Sequence, residues 1–575
     1  MLIENRSRAA CGLSGVWLYG VASLALVSPA WGQSAAPSSI TPPTLLPPAH
    51  HGDTAPTIPQ AEGLKPPKGA EELVVRLEGV DVVGGFPEVA VEIRAITAKF
   101  VGREVTLAEL YAAASAVEAA HARHGFVLAR VVVPPQQLVS GGRFRLVVID
   151  GFIESVDVSG VPERVRSSVA ARAGFLAGRR HLTLDEIERP LLLAGEVPGL
   201  ILASTLAPGI EQGGARLLLS GRQSLVSGNV SVENGFVQSL GRVGVTAQVS
   251  VNSLLGLGEQ IYGFAVSGYD LTRVFDDDAP VRVLGGGIVL APGDGRLSLN
   301  TEVTYSHTRP EVQPGIPLTR GKLRRLSFRG GYVLEKTRSS AVSINGTVEQ
   351  IQESNDAIDF GVRLSLDRFV VGRLGASYSR TLVGGTVVVA TAQISHGLGG
   401  LDAGQLASGM LPSRQGADTD FTKATIALRV AAPVGGRYQF RLFGRGQTSF
   451  GQSLFRSEQT ALEGSDALSA YTGGMTAVDA AVTARAELGG GLALAGKRKP
   501  LRLAPYVFVA AGTGWIERPT AVEKGGFTLA NLGAGTRGAI AGTRLTFALE
   551  YAHGFSALAR FDKVDRISLS AAIGF

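Results

Sequence analysis

Few residues in this sequence are spaced for chemistry. Asp276, Asp277 and Asp278 run together in "FDDDAP" and could offer oxygen ligands to Ca²⁺, but such a run more commonly solvates a loop. His50 and His51 are adjacent, in a Pro-rich stretch that reads as loop. None of the eight histidines falls in H-E-x-x-H. Nothing matches G-x-x-x-x-G-K-[ST], and there is no G-x-S-x-G elbow. The glycines of "HGLGG" and "LGGGI" sit among strand-like stretches, where glycine serves bends. No enzyme, cofactor or metal centre is expected. The net charge of +6 is spread without a basic cluster interleaved with aromatics, so a nucleic-acid partner is not expected either.

The remaining polar residues of interest alternate with apolar ones. "RVGVTAQVSV" sets Val243, Val245, Ala247, Val249 and Val251 against Arg242, Gly244, Thr246, Gln248 and Ser250. "RYQFRLFGRG" sets Tyr438, Phe440 and Leu442 against Gln439, Arg441 and Arg445. Period-two alternation makes a sheet with one greasy and one polar face. If the greasy face meets lipid, then Arg242, Gln248, Gln439, Arg441 and Arg445 line a wet interior.

Composition agrees with that reading. The chain is 45% hydrophobic and 18% charged, with 75 glycines, and its only long apolar run is N-terminal. Apolar residues spread over every second position characterise a membrane barrel. From about residue 223 helical periodicity gives way to alternating stretches separated by turns such as "APGDGR" and "APVGGR". Roughly 350 residues at about 22 per strand and connection suggest about 16 strands. The last stretch, "RISLSAAIGF", puts Ile567, Leu569, Ala571, Ile573 and Phe575 on one face. In hydrocarbon every backbone polar group needs a partner, so the last strand must close on the first. Ile573 and the terminal Phe575 would then lie at the membrane interface and serve as an assembly signal.

The N-terminus has Arg6 and Arg8, an apolar stretch from Gly12 to Val27, and Ala30-Trp31-Gly32 before a cut at Gln33. This predicts a secretory signal peptide over 1–32. The single Cys11 leaves with it, so no disulfide is expected in the mature chain. Residues 33–71 are Pro-rich and predict an extended linker that could plug a pore.

Between these regions lie two similar units, 72–150 and 151–222, each ordered β-α-α-β-β. Val89, Ile93, Ile96 and Phe100 mark one helix face. Thr106-x-x-Glu109 and Thr183-x-x-Glu186 are capping boxes, and Gly125 ends a helix. Pro190 is expected to weaken or kink the second helix of the second unit.

Four stretches resemble TpsB transporters of two-partner secretion (the ShlB/FhaC/HecB type of haemolysin activation/secretion protein) within the Omp85 superfamily. "HGFVLARVVVPPQQLVSGGRFRLVVIDGFI" resembles the end of a first POTRA domain, with Pro134, Pro135, Gln136 and Gly142. "LTLDEIERPLLLAGEVPGLILASTLAPG" resembles a second, with Leu191, Leu192, Pro198 and Gly199. "VENGFVQSLGRVGVTAQVSVNSLLGLGEQ" is similar to the first barrel hairpin. The stretch from "SRQGADTDFTKATIALRV" through "EGSDALSAYTGG" is similar to the strands leading into the inward-folding loop L6.

The resemblance implies a mainly β fold: two periplasmic POTRA domains at 72–150 and 151–222, then a transmembrane antiparallel barrel at 223–575. It implies an outer-membrane pore of a Gram-negative bacterium, exporting a large unfolded TpsA-like exoprotein without ATP. The eight residues named in the POTRA stretches would contact that partner. Lipid, lipopolysaccharide and the barrel-assembly machinery would be further partners. A factor inserting other barrels, or a passive porin or scaffold, is the alternative. The family loop tip reads Val-Arg-Gly-Tyr; here Leu468, Ser469, Ala470 and Tyr471 stand there. Its arginine meets an acid in Phe-x-Asp-x-Gly on the lumen wall; here Phe508, Ala510 and Gly512 fill that frame. With both charges replaced, the resemblance implies a preserved dock through an apolar or hydroxyl contact.

Overall fold

A computed structural model describes residues 36–44, 65–311, 318–400, 411–472, 476–494, 501–520, 523–556 and 564–575. The expected signal peptide, His50, His51 and most of the Pro-rich stretch lie outside the described residues. A single helical turn, α1 (Pro37–Ile40), precedes the first unit.

That unit comprises β1 (Val74–Val83), α2 (Ala90–Thr97), β2 (Glu104–Thr106), α3 (Leu107–Arg123), β3 (Arg130–Val132) and β4 (Gly142–Ile149). Its sheet runs β2-β1-β4-β3, with β1 and β4 parallel. Leu110 and Val117 of α3 bury against Phe144 and Leu146. Thr106 and Glu109 form the expected capping box, and Gly125 follows α3 at φ +92°, where a side chain would be strained. Strand β3 is short. Phe126 turns into the core of this unit and Leu128 into the core of the next, so pairing begins only at Arg130.

The second unit comprises β5 (Phe152–Gly160), α4 (Glu163–Ala173), α5 (Leu184–Gly195), β6 (Leu200–Pro208) and β7 (Gly214–Gln223), in sheet order β5-β7-β6. Helix α5 opens with the Thr183–Glu186 capping box and continues through Pro190. Interior proline costs about 3 kcal/mol. Burial of Pro190 with Ile187 and Leu191 offsets this.

Sixteen antiparallel strands then close a barrel. They are β8 (Val226–Glu233), β9 (Gly244–Asn252), β10 (Gln260–Ser267), β11 (Val281–Leu290), β12 (Leu297–Thr308), β13 (Thr319–Lys336), β14 (Ser340–Ala357) and β15 (Val362–Thr381). The second half is β16 (Val387–Gly397), β17 (Thr422–Val434), β18 (Tyr438–Thr448), β19 (Ala480–Gly490, continued by Leu492–Leu494), β20 (Leu501–Trp515), β21 (Gly526–Ile540), β22 (Leu545–Ser556) and β23 (Val564–Gly574). Strand β23 closes on β8 over five register pairs, Ser570↔Glu233 to Gly574↔Asn229. Ile567, Leu569, Ile573 and Phe575 face outward, as the alternation requires. The Phe575 ring covers Gly228, where a Cβ would come within 2.5 Å of it. No helix among the described residues is long and apolar enough to cross a membrane.

The second unit seats on one rim of the barrel. Arg172 donates to the Ala291 carbonyl at 2.7 Å, and Arg164 to that of Leu254 at 3.0 Å. Lys336 meets Glu196 at 2.6 Å, and Arg338 pairs with Glu188. A Cβ on Gly258 would lie 2.7 Å from the Ser168 hydroxyl, so the Gly256–Glu259 turn is shaped to receive α4. Loop 449–479 leaves from the opposite rim.

Candidate functional site: a loop docked inside the barrel

The loop between β18 and β19 folds into the lumen because its apolar residues find the wall there. Leu462, Leu468, Tyr471 and Val478 bury with Phe508, Phe527 and Leu529 of β20 and β21. The wall is thinned where the loop approaches. A Cβ on Gly512 would lie 2.9 Å from Leu468 Cδ1 and 2.7 Å from Thr483 Cγ2. A Cβ on Gly554 would lie 2.9 Å from the Tyr471 ring. The Tyr471 hydroxyl lies 2.8 Å from the Phe555 carbonyl and 3.1 Å from that of Ala530, and donates to this pair. Arg566 donates to the Tyr471 carbonyl at 3.0 Å, tying the loop to the closing strand.

The dock is not the uncharged contact implied by the replaced tip and wall residues. Arg485 of β19, fully buried, donates to the Ser469 hydroxyl at 2.9 Å. Its guanidinium lies 3.6 Å from the centre of the Phe508 ring. Glu550 accepts from it at 2.6 Å and Glu487 at 2.8 Å, while Arg537 also holds Glu487. With its amide oxygen toward the loop, Asn531 accepts from the backbone N–H groups of Ser469 and Ala470 at 3.1 Å each. The cation is thus supplied by the wall rather than the tip. Ala510 sits directly opposite Arg485 in the β19–β20 register. Sequence reasoning passed over Arg485 because it looks like any other inward-facing polar residue of a strand.

Two further anchors hold the loop. Arg445 donates to the Ala461 and Glu463 carbonyls at 2.7 and 2.6 Å, so it clamps the loop rather than lining an open path. Glu458 accepts from Arg373 at 2.6 and 2.9 Å and pairs with Lys423 at 2.8 Å. Arg373 also holds Glu349 at 2.7 Å, and Glu349 accepts from Thr44 at 2.9 Å. Residues 36–44 therefore lie in the lumen. Ser38 N–H donates to Glu353 at 2.9 Å, and Ile40 buries against Phe236, Leu240 and Val283.

The other expected site residues divide. Gln248 is on the inner face, paired in register with Phe264, which packs on that lumenal cluster. Arg441 donates to Gln439 at 2.7 and 2.9 Å. Arg242 does not line the lumen. It lies before β9 in a turn at φ +60°, bonded to Gln238, because the alternation was extended past the strand's start. Leu191 is a core residue without exposure and so cannot contact a partner, whereas Leu192 is half-buried. Gly199, at φ +74°, stands at the barrel joint beside Pro198; a Cβ there would meet Ser224 O at 2.3 Å and Asn252 Nδ2 at 2.7 Å. Pro135 is exposed and Pro134 half-buried. Gln136 bonds both backbone groups of Arg145, at 2.8 and 2.9 Å, and Gly142 N–H donates to Val139 O. Asp276, Asp277 and Asp278 pair with Arg273, Arg282 and Arg309, which occupies their oxygens.

Residues 216–538, more than half the chain, match the family model of the haemolysin secretion/activation protein ShlB/FhaC/HecB, and residues 75–151 match the ShlB-type POTRA domain. This chain belongs to the ShlB/FhaC/HecB family. Its barrel is accordingly an outer-membrane barrel with its POTRA-type domain in the periplasm. Solved structures share the fold of this ShlB/FhaC/HecB member. CdiB from Escherichia coli aligns at TM-score 0.66 and 18% identity, over 91% of this chain and 94% of that one. CdiB from Acinetobacter baumannii aligns at 0.60 and 15%, over 97% and 96%. BamA from Haemophilus ducreyi lacking POTRA domains 1–3 aligns at 0.52 and 11%, over 86% and 98%. A curated relative, the heme/hemopexin transporter protein HuxB of Haemophilus influenzae, is 25% identical over 172 residues. That match spans 30% of this chain and 30% of the relative's length.

Proposed function

We propose that this protein exports a large, unfolded TpsA-like exoprotein across the outer membrane, without ATP and without enzymatic chemistry. The observation that carries this reading is a lumen filled by two segments anchored through side chains. Besides its apolar packing, loop 449–479 meets the wall, as residues 36–44 do, through ion pairs and hydrogen bonds that water or a passing chain can replace. The units at 72–150 and 151–222, read as POTRA 1 and POTRA 2, would capture the cargo by adding its strands to a sheet edge. Folding of the cargo outside would make return unfavourable and so supply direction. Pro134, Pro135 and Leu192 remain candidate contacts; Gln136, Gly142, Pro198 and Gly199 support the reading only as architecture.

Removal of residues 72–222 tests it. Export of the cargo into the medium should stop while the truncated barrel remains heat-modifiable in the membrane; continued secretion would reject capture by these units. A second reading, insertion of other barrels through an opened seam, is favoured by the five-pair closure of β23 on β8, against eight pairs between β8 and β9. Gene deletion separates the two. Export predicts the loss of one secreted protein, and insertion predicts general loss of outer-membrane proteins.

A further inference from the structure

The turn joining β9 to β10, residues 253–259, carries three leucines. Leu254, Leu255 and Leu257 are 49, 62 and 60% exposed. The next two turns on the same rim are polar: Ala-Pro-Gly-Asp-Gly-Arg over 291–296 and Thr-Arg-Ser over 337–339. The leucines are therefore not a requirement of the rim.

The turn is rigidly built. Glu259, fully buried, accepts from the backbone N–H groups of Leu255 at 2.6 Å and Leu257 at 3.0 Å. The Ser253 N–H donates to the Glu259 carbonyl at 2.6 Å. From α4, Arg164 donates to the Leu254 carbonyl at 3.0 Å and Ser167 to that of Gly256 at 3.5 Å. These backbone groups find partners within the protein while the leucine side chains stay outside it. Irregular backbone is tolerated beside lipid only when it is satisfied in this way.

The lipid-facing surface leads straight to this turn. Val249 and Val251 alternate with the inward Gln248 and so point outward. Register sets Gly228 and Gly263 beside Val249, and Val226 and Ile261 beside Val251. Phe575 covers Gly228 on the same side. None of these positions is charged. At the far end of β9, Val245 and its partner Ser267 are only 9% and 1% exposed. Lipid therefore reaches β9 only from Ala247 to Asn252. That length is roughly 20 Å of strand, or about 15 Å along the membrane normal at a tilt of about 40°. An apolar band is about 25 Å tall, which leaves about 10 Å below Asn252. The leucine turn lies there.

We propose that this turn is embedded at the headgroup/acyl boundary of the periplasmic leaflet, where phospholipid acyl chains cover Leu254, Leu255 and Leu257 and so anchor α4 of the second unit at the membrane surface. Phospholipid is the occupant because the leucines continue a surface that already meets acyl chains. The contact depends on the outer-membrane location and not on the cargo.

The test uses the full chain in vesicles of phosphatidylethanolamine and phosphatidylglycerol. Trp515 is replaced by phenylalanine, and L255W or L257W supplies the reporter. Phospholipids brominated on their acyl chains should quench both reporters at least about twofold, as expected for side chains buried about 5–10 Å into the boundary. A reporter in the polar turn, S339W, should be quenched much less. Where a tryptophan variant loses heat-modifiability, a nitroxide on L255C gives the same reading, with oxygen colliding more often than a water-soluble nickel chelate. L254S/L255S/L257S should broaden spin-label distances between α4 and the barrel. Reporters that iodide quenches and brominated lipid does not would overturn the proposal. So would reporters shielded only when an unfolded exoprotein is added, which would give the turn to cargo. Unchanged distances in the triple serine variant would overturn the anchoring of α4.

Discussion

Arg485 and Ser469 meet across 2.9 Å, and on its other side the arginine is held by Glu550 at 2.6 Å. The loop tip therefore rests on a cation that belongs to the barrel wall and keeps its partners when the loop leaves. Releasing the tip exposes a guanidinium still paired with Glu487 and Glu550, instead of carrying a bare charge out of the lumen. Release of the tip alone is correspondingly less costly than breaking a buried ion pair such as Glu458–Arg373 at the base of the loop.

Arg485→Met should unsettle the wall as well as the loop. It leaves Glu550 without its cation, while Glu487 keeps Arg537, and loss of one member of a buried pair costs about 3–5 kcal/mol. Ser469→Ala removes one hydrogen bond, about 1 kcal/mol. The denaturant midpoint of the folded barrel should fall much further for the first. A thiol placed at Ala467 should react faster in both.

Ser469→Arg should harm assembly or activity, because it brings a second guanidinium beside Arg485. Adding Ala510→Asp should partly restore function, since position 510 faces Arg485 directly in the β19–β20 register. Secretion and heat-modifiability of the double variant, measured against the single, decide this.

Gly554→Val and Gly512→Val should each dislodge the loop without breaking a strand. Their side chains would invade the space of Tyr471 and Leu468 respectively. Pore conductance in planar bilayers should rise in both variants. Unchanged conductance would mean that the loop does not obstruct the path.

At the periplasmic joint, Lys336→Glu should loosen the second unit on the rim, and Glu196→Lys in the same chain should restore it. Spin-label distances between that unit and the barrel report the change. A restored distribution in the double variant, with both singles broadened, establishes the pair.

Helix α5 should show acid sensitivity from its cap. The Thr183 backbone N–H donated to Glu186 holds that carboxyl below its ordinary value. A depressed folded value contributes stability that is present above the unfolded pKa of about 4.3 and lost as pH falls through the folded value. Amide exchange over 184–195 should therefore accelerate below about pH 4, and Glu186→Gln should flatten that dependence.

Much of the architecture was legible because it rests on local periodicity. Alternation gave the barrel and its outward last strand, and S/T-x-x-E spacing gave both capping boxes. Arg485 was not legible. Its burial arises only when a loop 16 positions earlier and Glu550, 65 positions later, close over it. Nothing within its own strand announces that. Leu191 could have been read more closely, since Ile187, Leu191 and Ala194 follow a helical face that must point into the core. Arg242 failed for the opposite reason: alternation persists in sequence for a residue or two after pairing has stopped.

Gln136 does the job of a missing ribbon. By gripping both the N–H and the carbonyl of Arg145, its side chain seals the margin of the first sheet where β3 has already ended. A stray polypeptide drifting through the periplasm finds that margin taken. Indiscriminate zippering is thereby discouraged along that margin.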